Sequence, residues 1–354
     1  YVTWDDQTAG TVWAGPIGAA RAVSSAPADY QSPAFSPDGK RLAVLRAPTV
    51  SATGGDLGGQ PFYDLVLLSL SGGEPQRLRS IPFRGSNSRA PRLQFSPDGQ
   101  RIYWIEEEYP EPRAHEKTVL KSCDLLGHDE RIHIRFDAAQ EARVSPDGRW
   151  LAYKHDHQAW LSPMPALGNT TVAAEDLPSR KLTDVVGDWI DFSGAELTWS
   201  HAERFFSTPI AELLDKSAEE IPQPSERALL ISTPRVSGKG RIAFTNARIV
   251  TMEDGKVIER GTLVVRDNVI ESVFAGQVAV PDAKIIDLGG KTVLPGLIDV
   301  HAHLGYASGD VFPEQEWRHL ANLAYGVTTV FDPSASTDLV FGQAELVDSG
   351  RMIG

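Results

Sequence analysis

The tetrapeptide Ser-Pro-Asp-Gly occurs three times in this chain, at 36–39, 96–99 and 145–148, each time inside the same longer phrase. The phrases are "PAFSPDGKRLAVLR" (33–46), "LQFSPDGQRIYWIEE" (93–107) and "ARVSPDGRWLAYKH" (142–155). A fourth, "LTWSHAERFFST" (197–208), reads as a worn copy with Ser200-His201-Ala202-Glu203 in the turn. Repetition on this scale constrains a fold more than any single residue can. In each good copy an apolar residue (Phe35, Phe95 or Val144) closes one strand. Proline presets φ early in the turn, aspartate bonds back to the backbone, and glycine takes the positive φ that closes the corner. A basic residue and an alternating apolar run then leave as the next strand. Counted from the repeated serine, the intervals are 60, 49 and 55 residues. Further strand signals fill them, among them "YDLVLLSLSGGEPQRL" (63–78) and "TVLKSCDLLGHDERI" (118–132). Three or four strands per period of about 50 residues is the signature of a β-propeller blade.

These hairpins resemble those of the TolB-like propeller family, and the resemblance runs through roughly residues 10 to 215. Four blades lie at the low end of the usual range of about four to eight. The chain opens at Tyr1 with a strand-like stretch, so residues 1–215 are expected to be an incomplete propeller with other blades upstream. The chain is accordingly expected to be a fragment of a longer protein.

The pattern then changes twice. "KSAEEIPQPSER" (216–227) is charged and proline-bearing, and residues 216–240 read as a linker plus a first sandwich strand. From 241 to 293 come "RIAFTNARIVTM", "KVIERGTLVVRDNVIESVFAG" and "AKIIDLGGKTVLPG", β-branched runs broken by Asp-Gly, Asp-Asn and Gly-Gly corners. That is the pattern of a compact antiparallel β-sandwich unit. Residues 294–354 alternate: "LPGLIDVHAHLG" as strand, "PEQEWRHLANLAY" (313–325) as helix, "GVTTVFD" (326–332) as strand, and "TDLVFGQAELVDSG" (337–350) as helix. Strand and helix in alternation imply a parallel sheet or barrel. The expected fold class is therefore multidomain and mainly β, a partial propeller plus a β-sandwich, followed by the first βα units of a (β/α)8 barrel.

The barrel segment carries the chemistry. Alternate residues of a strand share a face at about 6.6 Å spacing, which groups Asp299, His301 and His303 against Ile298, Val300 and Leu304. Barrel enzymes gather reactive residues at the C-terminal ends of strands, and both histidines lie there. Two neutral imidazoles on one face can reach a single divalent cation at about 2.0 to 2.1 Å, and imidazole suits zinc, iron, nickel or copper better than magnesium or calcium. A second His-x-His, His155 and His157, follows a propeller corner without the Pro-Gly lead-in and reads as blade surface or packing.

The stretch "LPGLIDVHAHLG", with "NARIVTM" and "GGKTVLPG" before it and "YGVTTVFD" after it, closely resembles the amidohydrolase superfamily over about residues 228 to 354. The resemblance implies a split β-sandwich beside a (β/α)8 barrel, one or two divalent ions (zinc first), and His301 and His303 as first-strand ligands. It also implies hydrolysis of amide or related bonds by metal-activated water. Asp299 is expected behind the ligands as an orienting acceptor, with a backbone-satisfied aspartate the alternative reading. Asp332 is a candidate for the site mouth, with a loop or cap role as the alternative. His319, within "EWRHLANL", reads as a solvated or packing residue. The remaining ligands and the general base belong to later barrel strands, so no catalytic residue is assigned in this chain. The expected partners are a small-molecule or peptide-like substrate, and the rest of the same polypeptide or a second chain to complete the barrel.

Two other functional readings bear weighing. A serine hydrolase with TolB-like blades needs a Gly-x-Ser-x-Gly elbow, and neither "DFSGAE" nor "VDSGR" supplies one. A non-catalytic propeller scaffold with a vestigial hydrolase segment is the alternative to the enzyme. The net charge of −13 argues against a nucleic-acid partner. No apolar run approaches the roughly 18 residues of a membrane span. The single cysteine, Cys123, forms no internal disulfide, so neither compartment is excluded: periplasmic or secreted if a signal peptide precedes Tyr1, cytoplasmic otherwise. The glycine-rich "SATGGDLGGQ" (51–60) lacks the Gly-Lys-Ser/Thr ending of a phosphate loop and reads as a blade loop.

Overall fold

Each Ser-Pro-Asp-Gly copy is the corner between the first and second strands of a separate antiparallel sheet. The computed structural model describes all residues except 6, 17, 50–59, 84–89, 109–116, 167–169, 215–222, 305–311 and 336, with backbone alone at 337 and 338. Most of the 51–60 stretch and the start of the 216–227 linker thus lie outside the described residues. The first full sheet runs Asp29–Phe35, Arg41–Ala47, Phe62–Ser69, Gln76–Pro82 in chain order. The second runs Gln94–Phe95, Arg101–Glu108, Lys117–Asp124, Arg131–Phe136, with Val172–Ala173 added in parallel at its edge. The third is Ala139–Val144, Trp150–His155, Gln158–Pro163 and Arg180–Lys181, and the fourth Asp188–Ser193, Glu196–His201, Arg204–Pro209 and Ser225–Ala228. A three-stranded sheet, Val2–Thr3, Thr11–Ala14 and Arg21–Ala22, precedes them.

The corners are built identically. The serine Oγ donates to the aspartate Oδ1, at 2.6 Å for Ser36–Asp38 and 2.5 Å for Ser96–Asp98 and Ser145–Asp147. The same Oγ accepts the backbone N–H of Arg41, Arg101 or Trp150 at 3.0, 2.9 and 2.9 Å. The glycines stand at φ 66°, 67° and 72°, where a side chain would be strained. The serine hydroxyl, foremost among several donors, holds all three carboxyls below their ordinary range, Asp147 at about 2. These aspartates are turn formers.

The fourth copy falls one hairpin later than its sequence suggests. Ala202, at φ 51°, turns the corner between Glu196–His201 and Arg204–Pro209, whereas the first corner of that sheet is Gly194-Ala195. Without the proline and glycine, an apolar stretch ending in serine fits either hairpin of a blade.

Apolar layers fill the spaces between neighbouring sheets. Leu45 and Leu65 of the first sheet pack with Phe95, Ile102 and Trp104 of the second. Leu120 and Ile134 meet Val144 and Leu151, and Ala152 and Leu161 meet Ile190, Leu197 and Trp199. Leu45, Leu65 and Ile102 are wholly buried, and burial of each stabilises the fold by about 1.5–3 kcal/mol, an upper figure.

The chain divides into two compact units, one built on Tyr1–Leu230 and a second beginning at Ile231. Strands of the second unit are labelled from its start. β1 (Arg241–Val250), β2 (Val257–Arg266) and β3 (Val269–Ala275) form an antiparallel meander. β4 (Lys284–Asp287) and β5 (Thr292–Val293) both lie parallel along the free edge of β1, so the expected antiparallel unit is a mixed sheet. Next come β6 (Leu297–Asp299), α1 (Trp317–Ala324), β7 (Val327–Val330) and α2 (Thr337–Asp348). β6 and β7 pair in parallel. α1 starts later than expected because Glu316 caps it, its side chain accepting the Arg318 N–H at 3.1 Å. The protein is multidomain and mainly β.

Candidate metal centre

The Pro-Gly lead-in to the histidine segment has a steric cause. A β-carbon at Gly296 would overlap the Thr328 side chain of β7, so only glycine lets β6 close on its neighbour at this register. Leu297 then stands opposite Val327, and Asp299 opposite Val330.

β6 ends at Asp299, so His301 and His303 lie just past the strand rather than within it, as the alternation alone would have them. The Asp299 carboxylate accepts the backbone N–H of His301 at 3.0 Å, a local turn that draws the chain out of regular pairing. Contact with the β7 segment nevertheless continues: Phe331 N–H donates to Asp299 O at 2.9 Å and Ala302 N–H to Phe331 O at 3.0 Å. Ala302 is buried while both flanking histidines are exposed. Their ring centroids stand 5.1 Å apart, with planes crossing at 85°.

Asp332, two residues after β7, holds one of those rings. Its Oδ1 lies 3.2 Å from His303 Nδ1, and Ser334 Oγ lies 3.0 Å from the same nitrogen. Asp332 also accepts the backbone N–H groups of Leu304 at 3.3 Å and Ser334 at 3.0 Å. An ionised carboxylate only accepts hydrogen bonds, so Nδ1 of His303 is the nitrogen that donates, and in the neutral ring Nε2 then carries the lone pair. That is the tautomer a metal ligand through Nε2 requires.

The two aspartates thus divide the work differently from expectation. Asp299 serves the His301 backbone, and Asp332, only 5% exposed at its side chain rather than open at a mouth, serves the His303 ring. Ser334 went unnoticed in sequence, where the Asp-Pro-Ser turn after β7 was its one signal. His319 belongs elsewhere: its Nε2 lies 3.1 Å from Gln343 Nε2, joining α1 to α2, and burial lowers its pKa. His155 and His157 sit at a corner of the third sheet, where His157 stands at φ 64°. Among the described residues, no group of three or more His, Cys, Asp or Glu side chains stands close enough to hold a metal. The rings at 301 and 303 thus stand together as a pair, without a third such side chain beside them among the described residues.

No family model matches the chain. Part of it is similar to imidazolonepropionase from Mesorhizobium japonicum, 38% identical over 96 residues, which cover 24% of this chain and 22% of that protein. It is also similar to 5-methylthioadenosine/S-adenosylhomocysteine deaminase from Bacillus thuringiensis, 36% identical over 120 residues, covering 31% of this chain and 27% of the relative. The chain thus spans about a quarter of the length of the curated relatives it matches. Among solved structures, TolB from Acinetobacter baumannii aligns over 78% of this chain and 66% of its own, with 16% identity and a TM-score of 0.44. The resemblance to amidohydrolases read from the motifs is met by these curated relatives over part of the chain.

Proposed function

We propose that this chain is part of a metal-dependent amidohydrolase that cleaves carbon–nitrogen bonds of small or peptide-like amides, cyclic amides included, with His301 and His303 holding the ion. The observation that carries the reading is the disposition of the two rings. Two imidazoles bound to one ion at about 2.0–2.1 Å with a tetrahedral angle between them place their centroids roughly 5.2 Å apart. The pair here stands at 5.1 Å. Similarity to a deaminase, an enzyme that removes nitrogen from carbon, supports the bond type.

The chain's own residues have separable tasks. His301 and His303 bind through ring nitrogens, and the proton on His303 Nδ1 stays in place because Asp332 and Ser334 accept it. Asp299 fixes the backbone that carries His301. His301 and His303 would hold a divalent ion, zinc first, which would supply a water acidified toward neutral pH and polarisation of the scissile group. The other ligands and the proton-moving carboxylate come from later barrel strands, in the same polypeptide or in a second chain. The boundaries that suit this reading are a propeller to 215, a linker to 240, a sandwich unit to 293 and the barrel start from 294, with the propeller governing access or docking.

Metal analysis tests the reading. Protein purified with whatever completes the barrel should carry zinc, and His301→Ala or His303→Ala should lower its content at least tenfold. Equal metal in the variants would favour the non-catalytic scaffold.

A further inference from the structure

Three of the four sheets share the Ser-Pro-Asp-Gly corner and the fourth turns at Gly194-Ala195, but the residues that face one another inside the first unit are not repeated. Aligned on the serine at the first corner of each sheet (Ser36, Ser96, Ser145 and Ser193), the position just before it is apolar in all four: Phe35, Phe95, Val144 and Phe192. The position three places earlier reads Ser32, Arg92, Glu141 and Trp189, with no two alike. Chemistry kept for folding is uniform, and chemistry at this ring is individual. A cavity of about 680 Å³ opens there, with Ser32, Arg92 and Trp189 in its wall. That volume lies within the range of about 300–1,000 Å³ typical of small-molecule sites.

The backbone at the ring is irregular where the lining is displayed. Strand register shifts between Gln31 and Ala34, between Ala139 and Glu141, and between Asp188 and Asp191. Such bulges re-aim side chains and gather beside binding sites. Ser32 and Trp189 stand at φ 53° and 54°, a conformation that costs a non-glycine residue about 1–3 kcal/mol and persists only when its surroundings impose it. The surroundings are visible. Glu141 accepts the N–H groups of Trp189 and Ile190 at 3.1 Å each, and the Arg92 guanidinium lies 5.6 Å from the Trp189 ring centroid. Held this way, Trp189 remains 43% exposed, and Phe35, also in the cavity wall, is 53% exposed.

Charge decides what the cavity takes. Arg92 pairs with Asp191 at 2.6 Å and Glu141 at 3.3 Å, and Arg143 with Asp191 at 3.3 Å. Arg92, Arg143 and Asp191 line the cavity, and Glu141, outside its lining, pairs with Arg92, so the two cations are balanced by two anions and neither an anion nor a cation meets an uncompensated partner. We propose that this cavity is a binding site for an uncharged, ring-bearing small molecule that packs its flat face on Trp189 and Phe35.

The test uses the full chain and N-phenyl-1-naphthylamine, a neutral dye that brightens in apolar surroundings, beside its sulfonated relative 8-anilinonaphthalene-1-sulfonate. The neutral dye should bind saturably at one equivalent, and the sulfonate at least tenfold more weakly. Trp189→Ala and Phe35→Ala, both at exposed positions, should each weaken the neutral dye about tenfold with unchanged circular dichroism, while Trp189→Phe, which keeps a ring, should restore most of it. Trp317→Ala, which removes an exposed indole of the second unit, should change nothing. Absence of saturable binding, equal binding after Trp189→Ala, or loss after Trp317→Ala would each overturn the proposal.

Discussion

Replacing Asp332 by asparagine tests whether the His303 ring is held for a ligand's purpose. The carboxylate accepts from Nδ1 at 3.2 Å and is itself nearly buried, while the ring that it orients is exposed. An asparagine amide can turn its NH₂ toward Nδ1, which moves the imidazole proton to Nε2 and blocks the nitrogen that would bind metal. Loss of such an outer partner lowers metal affinity about 10–100-fold, or roughly 1.4–2.7 kcal/mol. Asp332 also accepts the N–H groups of Leu304 and Ser334. Asparagine retains one acceptor oxygen, so the accompanying loss of stability should stay near 1–2 kcal/mol. Competition between the protein and a chromophoric chelator for zinc reads the affinity, and ¹⁵N chemical shifts of the histidine ring in metal-free protein read the tautomer. Zinc affinity within threefold of the parent, with His303→Ala abolishing binding, would refute the reasoning.

Three further outcomes are expected. His133 Nε2 lies 2.7 Å from the buried Ser122 Oγ, which already accepts Arg101 Nε–H at 2.8 Å; burial first, then Arg101 and Arg131, pushes the imidazole down to about 4. A folded pKa below the ordinary value of about 6.5 means stability present above that pH and lost as pH falls toward 4, at most ~3 kcal/mol and less once solvent screening of a half-buried ring is counted; urea unfolding from pH 7.5 to 4 should show this slope and His133→Asn should flatten it. Ser145→Ala removes both the bond to Asp147 and the acceptor for Trp150 N–H, and should destabilise the first unit by about 1–2 kcal/mol with the Asp147 pKa rising toward normal, as NMR titration would detect. Gly296→Ala should cost about 1–3 kcal/mol and weaken zinc binding by parting β6 from β7, with partial rescue by Thr328→Gly in the same assays.

What could be read from the sequence follows the range of the forces involved. The Ser-Pro-Asp-Gly corners were legible because every bond that shapes them closes within five residues, as Ser36 to Arg41 shows. The corner at 200–203 was misplaced because, without its proline and glycine, nothing local distinguishes one hairpin of a blade from the next. The parallel seating of β4 and β5 on β1 joins residues some 40 apart, such as Ile242 and Lys284, and no turn signal encodes it. The histidine pair was legible as a motif, but its geometry was not. The local Asp299 turn moves it past the strand end, and its ring is held by Asp332, 29 residues away in sequence. A strand-face alternation rule ranks Asp299 above Asp332 for that task because it has no access to the register of β7.

The central claim is that the His301 and His303 rings grip one divalent ion. Cobalt(II) titration tests it most directly, because the visible d–d bands of cobalt report nitrogen ligation and low coordination number. The expected result is intense bands that saturate at one equivalent in the parent and are lost in the His301→Ala, His303→Ala double variant. Bands of equal strength in that variant, or none in the parent, would contradict it.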